Sequence, residues 1–512
     1  MVQTTTVNGR NWTQLTLLMV LGLAVLRTAL MVASPLNLHG DEAQYWAWAQ
    51  DLDWGYFTKP PMIAWVIAAT TSIFGDSEWA VRLSSPVLHS LTAYIMFRTA
   101  RFAFDAKTGF WAAFIYLLMP AVWLSSGIVS TDVPLLLCWV VALNAWLHLR
   151  RTPHWGFALQ LGIAFGFGFL SKYAMLFFLP ALAAAIIGDQ ETRKALLSRN
   201  GVIAAVTASL IITPNILWNI QNDFATVSHT AANANLKGIP FHPLEWLSFS
   251  VSQFAVFGPI SSILLLCAIL SALKGRLQAP SASLSYFVLA PLLIISLEAL
   301  LSRANANWAV TAYVAGSLLS AHFLVTTWPR WGRIFIIGKT ATTTLCLLVI
   351  LLVLSPSLAN QFGLSNSLKR LRGWPQTVDI IENYYKAGHD GLSFSHIAVD
   401  NRRVFFDLNY YGLSKTAPLR IWRRTSNPQN QAELKFPLVE GTIGPVLIIA
   451  YFPDYTADLE ADFERLEPLA PISLDVGGGK TRSYNVWAGY VYKLKTDKQQ
   501  SERHSLNHSQ VD

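Results

Sequence analysis

Two neighbouring acids, Asp41 and Glu42, are followed closely by Lys59 in the run Phe57-Thr58-Lys59-Pro60-Pro61. A carboxylate can accept a proton from an attacking group or orient that group. A fixed cation can stabilise negative charge that grows as a bond breaks. Pro60 and Pro61 end any regular structure and fix the position of Lys59. Between these groups lies Ala43-Gln44-Tyr45-Trp46-Ala47-Trp48-Ala49-Gln50, then Leu52-Asp53-Trp54-Gly55-Tyr56. A short helix from Glu42 puts Tyr45, Trp48 and Leu52 on one face, where they would suit the aromatic belt of a membrane interface. Asp41 equally suits the cap of that helix, because Asp is a favoured N-cap residue. The two roles are compatible.

Other polar groups punctuate apolar sequence: Asp132 in Ser130-Thr131-Asp132-Val133-Pro134, Lys172 and Tyr173 in Ser171-Lys172-Tyr173, and Glu298. Lys172 and Arg303 either serve a site or snorkel from the ends of apolar segments. Glu298 either marks a functional site, as charges at membrane depth do by default, or pairs with Arg303. The run Arg303-Ala304-Asn305-Ala306-Asn307-Trp308 either lines a pocket through its amides or makes a short polar turn. His229, Asn233, Asn235, Lys237 and His242 share the segment 221–246, but three ligands at tetrahedral-site spacing are not evident there.

The elements that position these groups follow from composition. The chain has 512 residues, 53% hydrophobic and 13% charged, with mean hydropathy +0.38. Soluble chains carry about 25% charged residues, and a larger core cannot explain the deficit, since single cores stop growing near ~250–300 residues. Apolar residues fall in blocks such as Trp12 to Ala33, and about 20 of them match the hydrocarbon thickness of a bilayer. The first block is too long for a signal-peptide core and reads as a retained span. Cys138, Cys267 and Cys346 lie inside apolar blocks without metal-ligand spacing. The net charge of +8 comes from clusters between those blocks, with no basic stripe and interleaved aromatics of the kind nucleic acid requires.

A mainly α, polytopic membrane protein with about eleven spans is predicted, at 12–34, 80–103, 108–124, 133–149, 156–170, 174–188, 201–219, 247–272, 283–301, 307–326 and 334–356. With a cytoplasmic N-terminus, the inside connections hold Arg101 and Lys107; Arg150 and Arg151; Arg193, Lys194 and Arg199; Lys274 and Arg276; Arg330 and Arg333. The outside ones hold mainly Lys59, Lys172, Lys237 and Arg303, as the positive-inside rule expects. Residues 1–356 then form the membrane domain, with a first outer loop at 35–79.

After about Ser357 the composition turns soluble. Trp374–Ala387 and Tyr455–Leu466 have helical spacing, and Leu392–Val399, Leu419–Trp422, Val446–Phe452 and Tyr484–Leu494 read as strands, so residues 357–495 are expected to form a small outer α/β domain. Residues 496–512 read as a disordered tail. Gly477-Gly478-Gly479-Lys480-Thr481 lacks the earlier glycine of a phosphate loop, position 474 being Leu474, and reads as a β-turn.

The order of an acidic pair after the first span, an aromatic-rich helix and an aromatic-x-Lys-Pro-Pro turn resembles the GT-C glycosyltransferases. It is similar to the aminoarabinose transferases of lipid A, to the rhizobial galacturonic acid transferases, which share the Gly-Tyr-Phe-x-Lys-Pro-Pro wording, and to protein O-mannosyltransferases. The likeness is strong over Leu38–Trp65, recognisable to about Tyr173, and only general layout from Ile220 onward.

The resemblance implies an inverting transfer of one sugar from an undecaprenyl-type phosphate carrier to lipid A or core oligosaccharide, at the periplasmic face of a bacterial inner membrane; a protein acceptor is the alternative. It implies Asp41 as base or acceptor-orienting group, with Glu42 beside it and Asp132 as a second acid. Lys59, Lys172 and Arg303 would neutralise the leaving phosphate, and Tyr45, Tyr56, Tyr173 and Asn307 would line the substrate pocket. The segment 221–246 would order over the donor. No metal or cofactor is expected, because a monophosphate has no second phosphate to bridge. A competing reading, a transporter with an outer sensory domain, requires paired acids or broken helices near the membrane midplane. The acids here fall at the outer ends instead, and close packing explains Gly-rich Leu161–Phe169.

Overall fold

The computed structural model describes residues 11–234, 241–277, 279–425, 427–442 and 444–493. Asn235, Lys237, the polar start before Asn11 and the tail from Lys495 lie outside the described residues. Two compact units divide the chain at Ala33/Ser34, Asp51/Leu52 and Ile350/Leu351, so Ser34–Asp51 groups with the C-terminal residues and Leu52 onward with the apolar helices.

The apolar unit is helical, because a backbone surrounded by hydrocarbon must satisfy its own hydrogen bonds. Five of its helices are long and apolar enough to cross a membrane: Trp12–Val32, Asp132–Arg151, Arg199–Gln221, Ser281–Leu301 and Trp328–Leu354. Trp328–Leu354 buries only Gly332, Phe335 and Lys339, and the rest of its apolar surface suits lipid. Asp132–Arg151, Trp155–Ser171 and Arg199–Gln221 pack side by side, and the core around them holds Trp139, Trp146, Phe178 and Phe287.

Two segments expected as single spans are broken. The stretch 247–272 is Pro243–Phe257 and Pro259–Leu273, bent by 108°. Gly258 at the joint takes φ 92°, which L residues rarely adopt, and Pro259 starts the second helix. The stretch 108–124 breaks at Leu118–Met119, because Pro120 holds Met119 extended. That break leaves the carbonyls ending Ala106–Leu117 without helical partners, and two buried cations take them. Arg27 donates to Leu117 O and lies over the Trp123 ring, and Lys339 Nζ reaches Leu118 O at 3.3 Å.

The second unit holds a five-stranded sheet of order β2-β1-β3-β5-β4: β1 His396–Val399, β2 Leu419–Ile421, β3 Val446–Ala450, β4 Phe463–Asp475 and β5 Thr481–Tyr492. β1 runs parallel to β2 and β3, and β5 antiparallel to β3 and β4. Every residue of β3 is buried, as its unbroken apolar run requires of a central strand. The triple-glycine segment is the turn between β4 and β5, closed by Val476 N–H to Lys480 O at 2.8 Å. Trp374–Ala387 is a helix. The helix read at Tyr455–Leu466 is only Thr456–Asp462, because β5 recruits the chain from Phe463 into its ladder. The helix Gly40–Ala49 packs against Arg402–Tyr410, where Trp46 meets the Tyr410 ring edge-on at 4.9 Å.

One bend in the apolar unit is fastened by charge. Asp189 caps Gln190–Leu196 by accepting the Thr192 N–H at 3.1 Å, and Arg150 grips its carboxylate with two bonds of 2.7 and 3.0 Å. Asp189→Ala strands a largely buried guanidinium, and the expected loss is about 2–4 kcal/mol. Thermal unfolding in detergent would show it as a lowered midpoint, and an unchanged midpoint would refute the fastening role.

Candidate active site

Asp132, Lys172 and Asn307 come from three separate segments of the apolar unit and meet. Asp132 opens the helix Asp132–Arg151, Lys172 follows the last residue of Trp155–Ser171, and Asn307 lies in the 3-10 turn Ala306–Ala309. Lys172 Nζ bonds one Asp132 oxygen at 2.7 Å and Asn307 Nδ2 the other at 2.8 Å. Both carboxylate oxygens are thus engaged, while an ammonium with three donors keeps capacity for another anion. Arg303 is exposed in the loop before Asn307.

Lys59 sits in a turn closed by reciprocal backbone bonds, Tyr56 N–H to Lys59 O at 3.0 Å and Lys59 N–H to Tyr56 O at 3.3 Å. Tyr56 is buried, and its hydroxyl accepts the Asp53 N–H at 3.1 Å. The helix Arg199–Gln221 braces the turn: Trp218 Nε1 donates to Asp53 Oδ2 at 2.7 Å and Asn215 Nδ2 to Trp54 O at 2.6 Å. Gly55 fits because it has no side chain; a Cβ there would lie 2.4 Å from the Trp218 ring.

Asn215 also ties this region to Tyr173, whose hydroxyl donates to Asn215 Oδ1 at 3.1 Å. Tyr173 lies on a cavity of about 640 Å³ with mostly apolar walls, among them Phe169, Leu176, Phe224, Val227 and Leu297, and with Asn215, Asn219 and Glu298 as polar members. The helix Ala225–Ala234, from the first half of the segment 221–246, supplies part of this wall. Glu298 is therefore a cavity residue.

Asp41 lies in the second unit. The cap of its helix is His39, not Asp41: His39 Nδ1 accepts the Asp41 N–H at 3.3 Å, and Glu42 closes the capping box by accepting the His39 N–H at 3.0 Å. Burial holds the His39 imidazole below its usual pKa, in keeping with a neutral ring whose Nδ1 accepts. Glu42 is therefore occupied by capping, and the Asp41 carboxylate lies at the helix N-terminus, where negative charge is favoured. Arg403 Nε stands 3.6 Å from Asp41 Oδ1, and Arg402 bonds Gln44 Oε1 at 3.1 Å. Tyr45 and Trp48 are buried, while Leu52 falls beyond the helix and is exposed, so the face expected from these three does not form.

Sequence reasoning missed Asn215, Trp218, Arg402 and Arg403. Arg402 and Arg403 follow the cap residue Asn401 on an otherwise amphipathic helix, a signal that was available but pointed to no partner. Among the described residues, one group of His and acids is close enough to share an ion, His389, Asp390 and Glu467; it lies in the second unit and shares no residue with the site.

Residues 58–218 match the family described as dolichyl-phosphate-mannose-protein mannosyltransferase. The lipid A galacturonosyltransferase RgtD of Rhizobium johnstonii is 35% identical over 440 residues, 85% of this chain and 90% of that protein. An undecaprenyl phosphate-alpha-4-amino-4-deoxy-L-arabinose arabinosyl transferase of Pseudomonas fluorescens is 30% identical over 298 residues, 52% of this chain and 49% of the relative. The crystal structure of ArnT from Cupriavidus metallidurans bound to undecaprenyl phosphate has TM-score 0.64 at 17% identity, covering 93% of this chain and 98% of that one, a likeness of fold.

The brace on the Lys59 turn is testable. Gly55→Ala forces a methyl into the Trp218 ring, and overpacking of this kind costs about 1–3 kcal/mol. The expected result is a lowered melting midpoint in detergent together with a shift in tryptophan emission; a midpoint equal to wild type would contradict the close approach.

Proposed function

The chain belongs to the GT-C glycosyltransferase family that includes the lipid A galacturonosyltransferase, and we propose that it moves a single sugar from a polyprenyl-phosphate carrier to lipid A or lipopolysaccharide core on the periplasmic face of a bacterial inner membrane. One observation carries the reading of the donor: Lys172, held by Asp132 and Asn307, directly precedes Tyr173 on the wall of a mostly apolar cavity. A prenyl phosphate needs both parts, a cation for its head and a groove for its tail. The basic clusters between apolar segments support the periplasmic orientation, and the long apolar blocks support a membrane domain of about eleven spans followed by an outer α/β domain.

In the proposed reaction the acceptor hydroxyl gives its proton to Asp41 and attacks the anomeric carbon opposite the phosphate. The bond from that carbon to the phosphate oxygen breaks, and the prenyl phosphate leaves with the electron pair, inverting the configuration. Lys59, Lys172 and Arg303 stabilise the charge on the leaving group. Asp132, with both oxygens engaged, acts through Lys172 as a positioning residue. Glu42 holds the Asp41 helix, Tyr56 the Lys59 turn, and Tyr45, Tyr173 and Asn307 border the substrates. The helix Ala225–Ala234 belongs to a segment that closes over the donor. No metal is required for a monophosphate leaving group.

Asp41→Asn and Lys59→Ala are each expected to lower transfer by roughly 10²–10⁴-fold. Mass spectrometry of lipid A and core from a deletion strain should lack one sugar unit, restored by wild type and by neither variant. Unchanged envelope glycans with an altered protein glycoform would move the acceptor to protein. Purified enzyme should keep its rate in EDTA; a rate restored only by a divalent ion would overturn the metal-free mechanism.

A further inference from the structure

A second cavity, of about 590 Å³, opens wholly within the C-terminal unit, a volume typical of small-ligand sites. Four cations line it, Lys369, Arg370, Arg403 and Arg482, against a single acid, Asp407. Arg482 is committed to the wall: it bonds Thr377 Oγ1 at 3.0 Å and Arg372 O at 2.8 Å, and its guanidinium stacks on Trp374 at 3.7 Å. Lys369 and Arg370 make no ion pair among the described residues.

Asp407 and Tyr484 are each 2% exposed, yet Asp407 Oδ1 and the Tyr484 hydroxyl lack hydrogen-bond partners among the described residues. An unmet buried polar group is costly, so two on one cavity point to a ligand that supplies the bonds. Burial pushes the Asp407 carboxyl well above the usual carboxylate range, which favours the protonated form that can donate a hydrogen bond. His39 and Gly40 form part of the wall immediately before Asp41, and Arg403 faces both the cavity and Asp41.

We propose that this cavity binds an anionic saccharide of the acceptor, its phosphate or carboxylate meeting Lys369, Arg370 and Arg403 and its hydroxyls meeting Asp407 and Tyr484. The proposal rests on the glycosyltransferase reading and adds to it the chemical class recognised on the acceptor side. Charged, multidentate contacts of this kind favour oxyanions over neutral sugars.

The test uses the full chain in nanodiscs with acyl-free probes: a glucosamine disaccharide 1,4′-bisphosphate, a carboxylate-bearing octulosonate disaccharide and a neutral disaccharide. At least one anionic probe should bind wild type tenfold or more tightly than the neutral one, and the tighter of the two identifies the anion. The double variant Lys369→Gln/Arg370→Gln should lose that preference while keeping its melting midpoint and its affinity for undecaprenyl phosphate. Asp407→Asn, which retains a donor, should stay within threefold of wild type, whereas Asp407→Leu should weaken the same probe. Equal binding of charged and neutral probes by wild type would overturn the proposal, as would a loss confined to undecaprenyl phosphate. Intact anionic-saccharide binding by a protein that transfers no sugar would leave the cavity standing and sink the enzymatic reading instead.

Discussion

An apolar helix that stops within hydrocarbon leaves backbone groups that water cannot reach, and the apolar unit is organised around meeting that demand. Arg27 and Lys339 answer it where Pro120 interrupts the chain. Asp132, Lys172 and Asn307 also stand at helix ends or in a short turn, where their side chains bond one another.

The loop after the first span is divided between two bodies. Its first half, Ser34–Asp51, presents Asp41 from a capped helix on the C-terminal unit, and its second half presents Lys59 from a turn braced by Asn215 and Trp218. Each group is held by its own surroundings. Asp41 stands at a helix N-terminus beside Arg403, whereas Lys59 depends on a glycine that lets an indole approach the backbone. The two groups proposed for proton acceptance and phosphate neutralisation are thus held by separate sets of neighbours.

Much of the apolar unit was legible in the sequence, because twenty-residue apolar runs have few alternatives to a helix. The exceptions came from backbone chemistry overriding hydropathy: Gly258-Pro259 and Pro120 split runs that look continuous on an apolar scale. In the second unit the short buried strands were legible as short apolar runs. Leu459, Phe463 and Leu466 kept a helical spacing through Phe463, where pairing with β5 prevails. Among the candidate site residues, types at loop positions were readable. The Asp53–Trp218 and Asp41–Arg403 contacts were not, since nothing along the chain registers a contact made by folding distant segments together.

The packing of Gly40–Ala49 against Arg402–Tyr410 has a consequence for biogenesis. The helix bearing Asp41 emerges early from the ribosome, but its packing partner exists only after most of the polypeptide has been made. A nascent or prematurely terminated chain can insert its apolar helices and still lack the support for its carboxylate. Completion of translation thereby becomes a condition for seating the helix that bears Asp41.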